Sequence, residues 1–257
     1  MSTASSCTRG LILAAGRGRR LGAITDNTPK CLVPLAGRAL LDWQLAALRL
    51  AGVTELAVVR GYRGTDVDRE GLTYFENRSW AESNMVASLC CAGEWLRAAP
   101  CLLSYSDIVY HPHVLRPLLQ APHEICIAYD QLWHSLWQMR FEHPEHDAES
   151  FSVVKGRLAD IGRKRPALES VQGQYMGLLK ITPKGWAQIE SLLSGLQDAD
   201  LRTLDVTSLL RRLLIQGIEI GAVPVQGRWC ELDRPEDLEL YEKRIREASH
   251  WTHDWRF

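Results

Sequence analysis

No stretch of this sequence approaches the roughly 18 consecutive apolar residues of a membrane span. The N-terminal MSTASSCTRGLILAAG holds only a short apolar run. Its arginines fall mostly after that run, the wrong polarity for a secretory signal. Neither sign of charge is in excess: 30 Lys and Arg against 31 Asp and Glu leave −1. General attraction to nucleic acid or to an anionic membrane is therefore not expected, and any cation-rich site must be local. Cys-x-x-Cys pairs are missing among Cys7, Cys31, Cys90, Cys91, Cys101, Cys126 and Cys230. Cys101 and Cys126 sit in apolar runs and read as buried free thiols of a reducing compartment. Repeats and low-complexity linkers are also wanting. A soluble, cytoplasmic protein is the expectation, and 46% hydrophobic residues over 257 positions suffice for one large α/β core.

What is present is concentrated between Leu11 and Lys30, LILAAGRGRRLGAITDNTPK. An apolar strand runs into a loop with Gly16 and Gly18, three arginines (Arg17, Arg19, Arg20) and then Pro29-Lys30. Glycines there let the backbone approach a ligand and offer unhindered N–H groups, as phosphate-cradling loops require. Two common glycine loops are excluded. A dinucleotide fingerprint needs a third glycine where Leu21 stands, and a helix where Thr25, Asp26, Asn27 and Pro29 make a turn. A P-loop needs a lysine directly after its last glycine, and none follows Gly22.

Strand-like and helix-like segments alternate through the first half. Strands are expected at 10–15, 56–60, 72–75, 101–105 and 124–129, and helices at 39–50, 84–97 and 113–119. This rhythm predicts a doubly wound α/β fold with a mostly parallel sheet. The segment 141–150, FEHPEHDAES, reads as a polar loop or arm. Shorter strands follow at 152–155, 158–161 and 175–181, with turns at Gly156 and Gly173. Helices at 185–193 and 206–215, a strand at 218–225 and a last helix from about Pro235 complete the chain.

Carboxylates gather at two places. Asp107 follows the strand 101–105, and ligands of open α/β sheets collect beyond the carboxyl ends of strands. Glu231 and Asp233, two apart on an extended segment, point to one face. With Asp107 opposite they would make a Mg²⁺ site. By spacing alone, Asp107 serves equally as a turn cap and Asp233 as a helix N-cap.

The pattern Leu13-Ala14-Ala15-Gly16-x-Gly18-x-Arg20-Leu21 with Pro29-Lys30 resembles the nucleotidyltransferases that activate sugar phosphates, phosphocholine and phosphonates. Ser106-Asp107 after a central strand and Trp229-x-Glu231-x-Asp233 near the end make the chain similar to choline-phosphate and phosphonate cytidylyltransferases. The resemblance implies one Rossmann-like nucleotidyltransferase domain over 1–257, with an acceptor-binding subregion at about 130–180. It implies CTP as nucleotide, Mg²⁺ on Asp107, Glu231 and Asp233, and catalytic roles for Lys30, Arg20 and Lys164. Leu13, Ala14, Ala15, Gly16, Gly18 and Ser106 would line the nucleotide. Asn77, Asn84 and Ser88 match positions where relatives recognise the base, although Asn84 also reads as an ordinary N-cap.

Tyr129, Asp130, Trp133, Asp147 and Tyr175 are the expected acceptor contacts. Trp133 and Trp137 share a face if their segment is helical, which would suit an aromatic cage for a quaternary ammonium. Carboxylates such as Asp130 and Asp147 suit a primary ammonium instead. The pieces DAES, IGRK and GQYMGLLKIT resemble the cytidylyltransferases acting on 2-aminoethylphosphonate. The expected reaction is thus transfer of CMP from CTP to a phosphonate, most directly 2-aminoethylphosphonate, with release of pyrophosphate. Phosphocholine as acceptor, a sugar-1-phosphate nucleotidyltransferase and a non-catalytic nucleotide-binding regulator are the alternatives, and a homodimer is compatible with the chain.

Overall fold

The computed structural model describes residues 8–247 and 250–257; Cys7 lies outside them. The strands are β1 (Arg9–Ala14), β2 (Pro34–Leu35), β3 (Arg38–Ala39), β4 (Leu56–Arg60), β5 (Leu72–Glu76), β6 (Cys101–Tyr105) and β7 (Ile108–Tyr110). They continue as β8 (Ile125–Asp130), β9 (Glu149–Val154), β10 (Arg157–Lys164), β11 (Gln174–Ile181), β12 (Gly221–Val225) and β13 (Trp229–Glu231). The helices are α1 (Leu40–Leu50), α2 (Met85–Cys90), α3 (Gly93–Ala98), α4 (Leu115–Gln120) and α5 (Trp133–Arg140). Beyond them lie α6 (Pro183–Leu193), α7 (Asp198–Thr203), α8 (Val206–Ile215) and α9 (Pro235–Glu247).

Among the described residues nine strands form one sheet in the order β5-β4-β1-β6-β11-β8-β12-β10-β9. The α/β architecture is the expected one, and β5, β4, β1 and β6 run parallel. Beyond β6 the sheet is mixed. β11 lies antiparallel between β6 and β8, and β9 and β10 form an antiparallel hairpin at the edge. That hairpin turns at Lys155-Gly156, with φ of 51° and 75°, the two positive values of a tight two-residue turn. β1 reads as a continuous apolar run because parallel neighbours and helices cover both its faces. Leu11 and Ile12 are fully buried there.

Local chemistry explains most boundaries. Thr182 caps α6 through Gly185 N–H (3.1 Å), with Pro183 opening the helix. Asp205 caps α8 through Ser208 N–H (2.7 Å). The helix expected over 84–97 is instead two, because Ala92 leaves helical geometry at φ −103° and ψ 21°. The segment expected as one helix at 113–119 opens as a 3-10 turn, Pro112–Val114, and then becomes α4.

One small ribbon positions the site. β13 pairs antiparallel with β7, so Glu231 stands opposite Ile108, the neighbour of Asp107. Leu232 N–H donates to the Asp107 carbonyl at 2.8 Å and tightens the junction. The C-terminal segment packs behind this ribbon. Trp255 is fully buried edge-on to Trp43 of α1, with ring centroids 6.3 Å apart.

Candidate active site

β1 ends at Ala14 and releases the glycine loop at the carboxyl edge of the parallel strands. Leu13, Ala14 and Ala15 are buried and anchor the loop, while Gly16 is exposed with open space where a side chain would lie. Gly18 has φ 77°, and a Cβ there would come within 2.7 Å of the Lys30 side chain. Glycine at 18 thus permits both the turn and the passage of Lys30 beneath it. Arg20 is exposed on the following 3-10 turn and forms an ion pair with Asp233.

Lys30 is the centre of the arrangement. Its side chain is 8% exposed, and its Nζ donates to Asp107 Oδ2 at 3.0 Å and to Asp233 Oδ1 at 2.8 Å. Burial alone would lower its pKa, yet the charges of Asp107, Asp233 and Glu231 outweigh that and raise it, so the ammonium stays protonated. One carboxylate oxygen from each of Asp107, Glu231 and Asp233 lies within 4.8 Å of the others. Glu231 is raised above its usual range by burial, against the pull of Arg140. Among the described residues Asp107 Oδ1 is buried without a protein partner. Three hard oxygen donors, one of them unsatisfied, suit Mg²⁺, which takes a few carboxylates and completes its shell with phosphate and water.

A cleft of about 280 Å³ adjoins these carboxylates. Arg20, Glu231, Lys164, Asp147 and Tyr175 line it, joined by Tyr105, Trp137, Glu149 and Gln174. Lys164 pairs with Glu149 at 2.5 Å, and Trp137 Nε1 donates to Asp147 Oδ2 at 3.0 Å. Three residues expected at the acceptor lie away from this cleft. Asp130 is fully buried, and its oxygens receive Leu132 N–H (2.9 Å), Gly227 N–H (2.8 Å), Trp229 Nε1 (3.0 Å) and His253 Nε2 (2.9 Å). Tyr129 packs on Phe151, and Trp133 is 3% exposed against Trp137. The segment of Trp133 and Trp137 is helical, so the two rings share a face, but Trp133 is buried in the core and Trp137 alone of the two borders the cleft.

On the other flank, Asn77 is buried and donates to Ser83 Oγ (3.0 Å) and Ser88 Oγ (2.9 Å). Asn84 caps α2 through Met85 N–H (2.7 Å) and donates to the Thr203 carbonyl (3.1 Å), so its amide is engaged at both ends. Ser106 is half-buried in the turn before Asp107.

Residues 10–202 match the MobA-like NTP transferase domain. The chain belongs to that family. It is 32% identical to CTP:phosphoglutamine cytidylyltransferase of Campylobacter jejuni over 90% of this chain and 97% of that protein. It is 28% identical to 2-aminoethylphosphonate cytidylyltransferase of Lancefieldella rimae over 43% of this chain and 47% of that one. Among solved structures, the inositol-1-phosphate CTP transferase from T. maritima superposes with a TM-score of 0.74 at 20% identity, covering 95% of this chain and 99% of that one. CTP:phosphocholine cytidylyltransferase from Streptococcus pneumoniae gives 0.72 at 19% identity, covering 93% and 99%. At that identity the structures speak for the fold.

Two residues of this nucleotidyltransferase escaped the reading of the sequence. Gln44, fully buried on α1, donates to the Tyr105 carbonyl (3.0 Å) and the Ile108 carbonyl, clamping the turn that carries Asp107. Arg140, at the end of α5, reaches Glu231 at 2.9 Å and Asp237 at 3.0 Å. A buried glutamine and a buried arginine leave no local pattern, since their partners are 61 to 97 residues away. Asp237 lies in the first turn of α9, where an acid also suits the positive end of the helix.

Proposed function

We propose that this nucleotidyltransferase moves CMP from CTP to a small acceptor bearing a phosphate or phosphonate, releasing pyrophosphate, within a single unit whose acceptor part spans about 130–180. The buried Lys30 ammonium, ringed by Asp107, Asp233 and Glu231 beside the cleft, carries this reading. The match to a cytidylyltransferase along nearly its whole length supports CTP as the donor.

The acceptor oxygen is already anionic, so no strong general base is needed. The difficulty is holding two anions in line, and positioning with charge neutralisation is the main work. Lys30 and Arg20 take up the triphosphate charge and steady the departing pyrophosphate, with main-chain N–H groups of Gly16 and Gly18 beside them. Asp107, Glu231 and Asp233 would hold Mg²⁺, which supplies positive charge against the phosphate oxygens when bound. Lys164 faces the acceptor's phosphate or phosphonate across the cleft. As CMP bonds to that oxygen, the bond to pyrophosphate breaks.

The finer reading is an acceptor with a nitrogen able to donate hydrogen bonds. Asp147, whose Oδ2 alone is taken by Trp137, and Gln174, whose buried Oε1 lacks a partner among the described residues, favour it, since a trimethylammonium cannot use that acceptor capacity. 2-Aminoethylphosphonate meets this requirement, and the long match to a phosphoglutamine enzyme favours a phosphorylated glutamine on the same ground. Pyrophosphate release should be measured with CTP, UTP and GTP against 2-aminoethylphosphonate, phosphoglutamine and phosphocholine. CTP with one of the first two should give the highest kcat/KM. A clear preference for phosphocholine refutes the finer reading, and turnover with UTP or GTP but not CTP refutes the coarser one.

A further inference from the structure

We propose that Arg140 is the positioning residue of the acid cluster, holding Glu231 and the backbone of Asp233 in the geometry that binds a divalent cation. The inference rests on the reading of Asp107, Glu231 and Asp233 as a cation site. Charge in the cluster is shared unequally. Lys30 contacts Asp107 and Asp233, whereas among the described residues the ion pair of Glu231 is with Arg140.

All three guanidinium nitrogens are committed. Nε and Nη2 grip the two oxygens of Asp237 at 3.0 Å each, and Nη1 reaches Glu231 Oε2 at 2.9 Å. The side chains of Arg140 and Asp237 are both 1% exposed, so water does not screen the fork. Asp237 Oδ2 also accepts the N–H groups of Asp233 and Arg234, at 3.0 Å each. One planar group thus orients the Glu231 carboxylate and, through Asp237, the chain that presents Asp233. Tyr241 Oη donates to the Glu231 carbonyl at 2.8 Å and fixes that residue's backbone as well.

Arg140 also ties the two substrate sides together. It ends α5, the helix whose Trp137 donates to Asp147 in the cleft. The Arg140 carbonyl accepts from Arg234 on the segment leading into α9, so the helix end is fastened to the same chain. A lysine keeps the charge but lacks the rigid planar fork that grips Asp237 and Glu231 in fixed directions, which separates orientation from electrostatics.

The test uses Mn²⁺ as the probe, titrated into the full-length protein without nucleotide and followed by the loss of its free-ion electron paramagnetic resonance signal. Parent protein should bind Mn²⁺, and Asp107→Asn should weaken it. Arg140→Lys should weaken Mn²⁺ by about tenfold or more, in the range of residues that orient metal ligands. In the Glu231→Gln background the same substitution should cost less than in the parent, because only the hold on Asp233 through Asp237 is left to lose. With excess metal, kcat should fall while KM for CTP stays within about threefold. Unchanged Mn²⁺ affinity in Arg140→Lys with a lower melting temperature would make Arg140 a structural residue and overturn the inference alone. Should Arg140→Lys not fold, Asp237→Asn carries the test. It loosens the same fork without replacing a proposed ligand and should weaken Mn²⁺, and unchanged affinity there overturns the inference equally. Absence of Mn²⁺ binding by the parent protein would sink the reading of the cluster itself, and the inference with it.

Discussion

Two acidic centres, one fully buried and one partly so, sit at opposite ends of one three-residue strand, Trp229 to Glu231. At one end, Asp130 accepts four hydrogen bonds from Leu132, Gly227, Trp229 and His253, filling every lone-pair direction of a carboxylate. At the other, Asp107, Glu231 and Asp233 crowd around Lys30, and Asp107 Oδ1 has no partner among the described residues. Both Asp130 and Asp107 follow apolar strands in the sequence, where Asp107 is expected at the metal and Asp130 at the acceptor. The difference lies in satisfaction. A carboxylate with complete hydrogen bonding stabilises a fold and has nothing left for a ligand, whereas crowded, incompletely paired carboxylates store charge that a cation and phosphates can use.

The comparison breaks most sharply at Lys30. Lys30→Ala should lower kcat by about 100-fold or more, because it removes positive charge beside the departing phosphates. Its melting temperature should stay near the parent's, since the three carboxylates lose a partner but can protonate or take up a cation. Near-normal turnover in a verified, folded variant would remove the assigned role.

Asp130→Asn should do the reverse. Its amide cannot accept from all four donors, and breaking a buried charge-assisted network costs about 3 kcal/mol. For a chain of this size that lowers the melting temperature by about 6–12 °C, while kcat of the folded fraction stays within a few-fold. The effect should also depend on pH in one direction. Burial alone would raise the Asp130 carboxyl, but the hydrogen bonds from His253, Gly227 and Trp229 outweigh it and hold the pKa below its ordinary value. A depressed folded pKa contributes stability that is full above the unfolded value of about 3.9 and is lost as pH falls through the folded one. The stability gap between parent and Asp130→Asn should therefore be level from pH 5 to 8 and shrink below about pH 4. A gap that grows on acidification would contradict this account of the carboxylate.

Asp107→Asn and Asp233→Asn probe the unsatisfied centre by smaller steps. A neutral amide keeps the shape but weakens a hard cation's hold. Outer-shell partners already cost 10- to 100-fold, so a direct ligand should cost at least about tenfold in activity at limiting Mg²⁺. Excess Mg²⁺ should restore part of it. Full activity of the parent in a strong chelator would remove the metal from the scheme.

Legibility in the sequence followed the same divide. The glycine loop, Lys30 and the parallel strands were readable because each signal is contiguous: an apolar run, a turn, a Pro-Lys pair. Strands at 56–60 and 101–105 and the helix at 206–215 fell at their expected boundaries. Asp107 and the Glu231–Asp233 pair were visible singly, and their meeting depends on the β7–β13 ribbon, which no local pattern announces. The acceptor side read worst. Asp130 looked available because three of its four donors come from Gly227, Trp229 and His253, about a hundred residues further along. Trp133 and Trp137 looked like a cage because four-residue spacing fixes a common face without saying which way that face points. The aromatic C-terminal segment carries no readable role in the sequence; in the fold Trp255 packs on Trp43 and His253 on Asp130.

The smallest effect is expected at Asp147, where the comparison turns on a single bond. Trp137 Nε1 already donates to Oδ2, which fixes the carboxylate at the cleft without filling it as the four donors fill Asp130. An acceptor nitrogen with hydrogens can use what remains, and a trimethylammonium cannot. Losing one such hydrogen bond to a charged group costs about 1–3 kcal/mol, so Asp147→Ala should cut kcat/KM for 2-aminoethylphosphonate by about fivefold or more. Phosphocholine turnover should change less than twofold, because it never made the bond. Measuring both acceptors on both proteins gives the ratio directly. An equal loss for the two would mean that Asp147 only supports Trp137 and α5, placing it with Asp130 among the carboxylates that build the fold.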